Sequence, residues 1–112
     1  RSALPARSEM CIRDRSHIGY AATKAALQNM VLSFAEKYAP SVRVNAILPG
    51  LLILKEGGDE HYRQQTLKKA LLEFEPGAQP LIDAVLFLLE SQYSTGSNVV
   101  INGGRHLKNR IA

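Results

Sequence analysis

Apolar side chains recur at spacings of three and four along the first half of the chain. Leu27, Met30, Val31, Phe34 and Tyr38 fall on one stripe, and that period predicts a helix over 18–38. Pro40 ends it, since a residue preceding proline is disfavoured in helical geometry. From Val42 to Leu48 the pattern changes to a short, nearly all-apolar run rich in β-branched residues. Such a run predicts a strand covered on both faces, as in a parallel sheet. Pro49 and Gly50 then mark a loop. A second helix is expected after Asp59, whose carboxylate can cap it, with Tyr62, Thr66 or Leu67, Ala70, Leu71 and Phe74 along one face. The triplet Glu75-Pro76-Gly77 interrupts that face. Leu81 to Leu89 reads as an apolar helix buried on most sides, and Asn98 to Asn102 as a strand entered through the turn Ser94 to Ser97. Helices alternating with strands define an α/β class with a parallel sheet. Residues 1–15 carry neither period and read as an unassigned, disordered segment foreign to the fold.

Charge and composition exclude several functions. The chain has 14 Lys and Arg against 10 Asp and Glu, a net charge of +4. No basic stripe is interleaved with aromatics, so nucleic acid is not an expected partner. No apolar run reaches the roughly 18 residues of a membrane span, and no signal-peptide core follows the first arginines. Cys11 is the single cysteine, which rules out an internal disulfide and fits a reducing, cytoplasmic setting. No metal site is expected.

The candidate chemistry sits at the head of the first helix, in Ser16-His17-Ile18-Gly19-Tyr20-Ala21-Ala22-Thr23-Lys24. Tyr20 and Lys24 stand at the i, i+4 spacing and share a helix face. An ammonium beside a phenol favours the phenolate, so a desolvated pair can act as a tuned general acid. Alone, this spacing more often means an exposed lysine beside a half-buried tyrosine. Its surroundings are more telling: Ala21, Ala22, Ala25 and Ala26 leave room for a flat ligand or another backbone. Beyond the first strand, Pro49, Gly50 and Leu52 occupy the carboxyl end where parallel sheets bind ligands. The apolar stretch Leu51 to Leu54, ending in Gly57 and Gly58, suits a lid over a flat substrate.

Tyr20 and Lys24, the Val42 to Gly50 strand and loop, Thr95-Gly96 and Gly103-Gly104 occur in the order seen in the C-terminal half of the short-chain dehydrogenase/reductase family, which residues 16–107 resemble. The resemblance implies the C-terminal half of a Rossmann-type, doubly wound parallel sheet, occupying residues 16–112. No Gly-x-Gly-x-x-Gly turn occurs, so the glycine-rich N-terminal half that cradles a dinucleotide is expected to be missing and the chain by itself inactive. The resemblance further implies NADPH as cofactor, Tyr20 and Lys24 as catalytic and cofactor-binding residues, and Pro49, Gly50 and Leu52 around the nicotinamide. It implies substrate contacts from His17, Leu51 and Ile53, and a homotetramer built through the first helix and last strand. In this family a threonine commonly stands where Leu54 does, and a serine or aspartate precedes the tyrosine by twelve or thirteen positions. Ser8 lies at such an offset without strand-like flanks. His17-Ile18, Ala25 to Met30, Ser33-Phe34-Ala35, Tyr62 to Gln65 and Gly103 to Leu107 are similar to the pteridine-reducing branch, which implies a small-molecule dihydropterin substrate reduced to its tetrahydro form. A carbonyl reductase acting on ketones such as 3-oxoacyl-carrier substrates, and a non-catalytic fragment, are the alternatives.

Overall fold

A computed structural model describes residues 18–108, so the 1–15 segment and Ser8 lie outside the described residues. Six elements follow in order: α1 (Ile18–Tyr38), β1 (Ala46–Pro49), α2 (Glu60–Leu67), α3 (Gln79–Glu90), β2 (Asn98–Ile101) and α4 (Arg105–Lys108). The two strands pair in parallel, with Ala46 opposite Asn98 and Pro49 opposite Ile101. A parallel pair needs a long crossover, and α2 and α3 supply it. Ala46 N–H donates to Ser97 O at 2.9 Å and Gly50 N–H to Ile101 O at 2.8 Å. Pro49 stands between these donors, where its nitrogen faces away from β2, so its missing N–H costs the ladder nothing.

The first helix has the expected bounds. The first strand is shorter than the apolar run, because Val42 N–H donates back to Tyr38 O at 2.9 Å and Val44 and Asn45 find partners in the turn before β2 rather than in a ladder. Val44 N–H donates to Thr95 Oγ1 at 3.1 Å and Val44 O accepts from Gly96 N–H at 2.7 Å. Asn45 bridges the same turn, donating from Nδ2 to Ser94 O at 2.9 Å and accepting from Ser97 N–H at 3.0 Å. Arg43 reaches across to the end of α3, donating to Leu88 O at 2.7 Å and Leu89 O at 3.3 Å. Those are the carbonyls a helix C-terminus leaves unpaired.

Asp59 caps α2 as expected, its Oδ1 accepting from Tyr62 N–H at 2.7 Å. The helix nonetheless stops at Leu67, short of Ala70, Leu71 and Phe74. Leu71 and Leu72 both turn their N–H groups to Gly103 O, each at 2.9 Å, instead of to carbonyls one turn back. Lys108 closes the junction by donating to Lys68 O and Ala70 O.

The buried apolar core of the described residues is Ala35, Leu54 and Ala84. α3 is therefore not covered on most sides: Phe87 is 58% and Leu89 68% exposed. A two-stranded sheet is too narrow to shield a twelve-residue helix, and isolated strand pairs are marginal for the same reason. α1 meets the body at Gly96, where an added Cβ would stand 3.6 Å from Ala35 Cβ and 3.8 Å from Leu32 Cδ2.

The Gly103-Gly104 turn tolerates no side chain. Gly104 has φ +79°, and a Cβ there would come within 2.9 Å of Leu71 Cδ1 and 3.1 Å of Leu71 Cβ. Left-handed backbone costs an L-residue roughly 1–2 kcal/mol before any clash. Gly104→Ala is expected to lower stability by about 2 kcal/mol or more, read as a fall in Tm by calorimetry of the full-length protein. An unchanged Tm would contradict this packing.

Candidate active site

Tyr20 and Lys24 lie at the head of α1, where the sequence placed them. Lys24 Nζ stands 5.5 Å from the Tyr20 ring centroid, close enough for a cation–π attraction of about 0.5–1 kcal/mol at an open site. Tyr20 is half-buried and Lys24 exposed. Between them Thr23 Oγ1 donates to Gly19 O at 2.8 Å, tying its hydroxyl to the helix backbone. Among the described residues, no hydrogen bond or ring contact joins the pair to the 49–53 loop. His17 lies outside the described residues.

The loop leaves the carboxyl end of β1. Pro49 is exposed, Gly50, Leu51 and Leu52 are half-buried, and Ile53 is 60% exposed. Leu54 turns inward and is 8% exposed, so it packs as an apolar anchor where a threonine would present a hydroxyl. Two ties hold the loop down. Gly77 N–H donates to Leu52 O at 2.9 Å, and Leu54 N–H donates to Glu75 Oε2 at 2.9 Å. Leu52 N–H makes no hydrogen bond among the described residues, leaving a donor free at the carboxyl end of β1. The segment expected as a lid is thus strapped at its base, at Leu52 and Leu54.

Beyond the ends of both strands lies a small cavity lined by Leu51, Leu54, Thr66, Phe74, Asn102 and Arg105. Thr66 is 8% and Arg105 6% exposed. Asn102 Oδ1 accepts from Gly104 N–H at 3.0 Å and lies 3.1 Å from His106 Nδ1, which turns Arg105 inward at the start of α4. Periodicity singles out neither Arg105 nor Glu75. The signal for Arg105 is the glycine pair after β2, which reverses the chain; Glu75 stands inside a triplet that reads only as a break. Its other oxygen, Oε1, accepts from Arg63 Nη1 at 2.9 Å. The Leu54 amide and, after it, the Arg63 guanidinium hold the Glu75 carboxyl below its ordinary value of 4.5.

Such a pair of parallel strands, with a long helix before them and a glycine turn after, is part of a doubly wound, Rossmann-type fold. Residues 6–106 match the family described as enoyl-(acyl carrier protein) reductase, and the chain belongs to the short-chain dehydrogenase/reductase family. It is 52% identical over 92 residues to a dihydromonapterin reductase of Citrobacter koseri, covering 82% of this chain and 38% of that protein. To a dihydromonapterin reductase of Klebsiella pneumoniae the identity is 51% over 92 residues, with the same 82% and 38% coverage. Among solved structures it is similar to FolM alternative dihydrofolate reductase 1 from Brucella suis in complex with NADP. There the TM-score is 0.68 at 31% identity, covering 79% of this chain and 36% of that one. A short-chain dehydrogenase/reductase from Burkholderia xenovorans gives a TM-score of 0.67 at 28% identity, covering 80% and 35%. The chain thus spans 38% of the length of these curated relatives.

The lowered Glu75 carboxyl has a pH consequence. A group whose pKa is depressed on folding stabilises above its unfolded value, and that contribution is lost as pH falls through the folded one. Protection of the Leu54 amide in hydrogen exchange should persist at pH 4.5 and fall only in more acid solution. Loss of protection already at neutral pH would contradict the tie.

Proposed function

We propose that residues 16–112 form the C-terminal part of a short-chain reductase domain that uses NADPH to reduce a 7,8-dihydropterin, such as 7,8-dihydromonapterin or dihydrofolate, to its tetrahydro form. The observation that carries this reading is a phenol and an ammonium on one turn of α1 in a chain 52% identical to a dihydromonapterin reductase. When bound, NADPH supplies the hydride that reduces the pterin C=N bond. Tyr20 gives its hydroxyl proton to the ring nitrogen. Lys24 holds the nicotinamide ribose hydroxyls and keeps a positive charge beside the phenol. The free N–H of Leu52 fits the carbonyl of a nicotinamide carboxamide, and Pro49 and Gly50 leave the backbone open beside it. Leu51 and Ile53 offer an apolar wall to a flat ring, and the family resemblance adds a substrate contact from His17. The described residues hold no glycine turn for a pyrophosphate, so that contact belongs to other residues of the assembled reductase, working in the cytoplasm.

The match to the enoyl-(acyl carrier protein) reductase family favours a second reading, an acyl-carrier substrate. NADPH oxidation by the full-length protein separates them: stimulation by dihydropterin supports the first, and stimulation by an acyl-carrier ketone or enoyl substrate alone refutes it. In that protein Tyr20→Phe is expected to lower kcat by about 10²-fold or more; wild-type turnover in the variant would remove the assignment.

The reading carries self-association with it. Leu27 is 53% and Met30 48% exposed on α1, and α3 leaves Phe87 and Leu89 uncovered. Each such side chain, about half exposed, forgoes roughly 1 kcal/mol while it faces water. A homotetramer that buries α1 and β2 of each copy is expected by sedimentation at micromolar concentration, and a monomer there would contradict it.

A further inference from the structure

We infer that Glu75 is a positioning residue, whose carboxylate clamps the 51–54 loop to α2 and so fixes the wall against which the substrate ring rests. This deepens the pterin-reductase reading and rests on it for the identity of the substrate.

The geometry is a two-sided clamp. Oε2 accepts from the Leu54 amide at 2.9 Å and Oε1 accepts from Arg63 Nη1 at 2.9 Å. One oxygen therefore holds the loop that leaves β1, and the other holds α2. Two residues on, Gly77 N–H donates to Leu52 O at 2.9 Å, so the segment after α2 grips the loop at alternate positions. Leu54 is buried at 8% directly beside the grip. Ile53, between the two ties, is left 60% exposed and is held out at the carboxyl end of β1, where ligands of parallel sheets bind.

Both partners of Glu75 are donors, and only a carboxylate offers two acceptors at once. In Glu75→Gln one terminal atom becomes an NH₂ group. Whichever way the amide is turned, it then faces either the Leu54 N–H or the guanidinium with a donor. Arg63→Met breaks the other side and leaves the Leu54 bond in place.

The test compares full-length wild type, Glu75→Gln and Arg63→Met. Losing a hydrogen bond to a charged acceptor weakens the loop's hold by about tenfold or more. Glu75→Gln should therefore raise the KM for 7,8-dihydromonapterin about tenfold, with kcat and the KM for NADPH nearly unchanged. The Leu54 amide should exchange about tenfold faster. Arg63→Met should raise the KM for the pterin by less and leave Leu54 exchange nearly unchanged. A merely structural role would lower Tm and the fraction of active enzyme and leave KM alone. An unchanged KM for the pterin, or an unchanged Leu54 exchange rate, in Glu75→Gln overturns the inference. Should Glu75→Gln fail to fold, an unchanged KM for the pterin in Arg63→Met overturns the inference. Should the wild type reduce no dihydropterin, the proposed function falls, and Leu54 exchange alone decides whether the clamp exists.

Discussion

Parallel pairing of Ala46–Pro49 with Asn98–Ile101 is the constraint on which the rest of the structure depends. Parallel strands point their carboxyl ends the same way, so whatever leaves them converges at one edge. Here the 49–54 loop and the Asn102 to Arg105 turn meet there and enclose the cavity that Leu51, Asn102 and Arg105 line. The same constraint demands a crossover, and the crossover carries the pieces that hold that edge in place. Gly103 O takes the two N–H groups at the end of α2's overrun, and Glu75 takes the Leu54 amide. An antiparallel pair with a tight turn would scatter these segments to opposite ends.

Elements whose signal is local were legible in the sequence. The stripe from Leu27 to Tyr38 lies within one helix, and its period is visible without knowing any partner. Asp59 as a cap is equally local, because its acceptor and the Tyr62 amide are held together by the helix turn itself. The Tyr20 and Lys24 pair is legible for the same reason: the spacing alone puts both on one face.

What was not legible depends on partners distant in sequence. Val44 and Asn45 look like strand, yet Val44 N–H finds the Thr95 hydroxyl and the Asn45 side chain bridges Ser94 and Ser97 in place of a ladder. α2 looks longer than it is, since nothing near Leu71 announces that Gly103 O will compete for its N–H. The two-sided use of Glu75 shares this origin: its partners Leu54 and Arg63 lie 21 and 12 residues away, and composition treats it as surface charge. Leu54 shows the converse, an apolar residue at a polar family position that buries itself as an anchor.

The separation of the two halves of the site has a mechanical consequence. Tyr20 stands at one end of α1, while Ala35, the buried residue of that helix among those described, meets Gly96 near the other. At 1.5 Å per residue the two are about 22 Å apart along the axis. A tilt of α1 by about 5° about that contact would move Tyr20 by about 2 Å, and misplacement by about 1 Å can cost 10²-fold in rate. The proton transfer proposed for Tyr20 would therefore require α1 to be held along its length by more than its seat at Gly96. The exposed stripe of Leu27 and Met30 is the surface on which such support would act. Burying it both removes apolar area from water and fixes the angle of the helix, so the same contact that stabilises the fold would also set the aim of the proton donor.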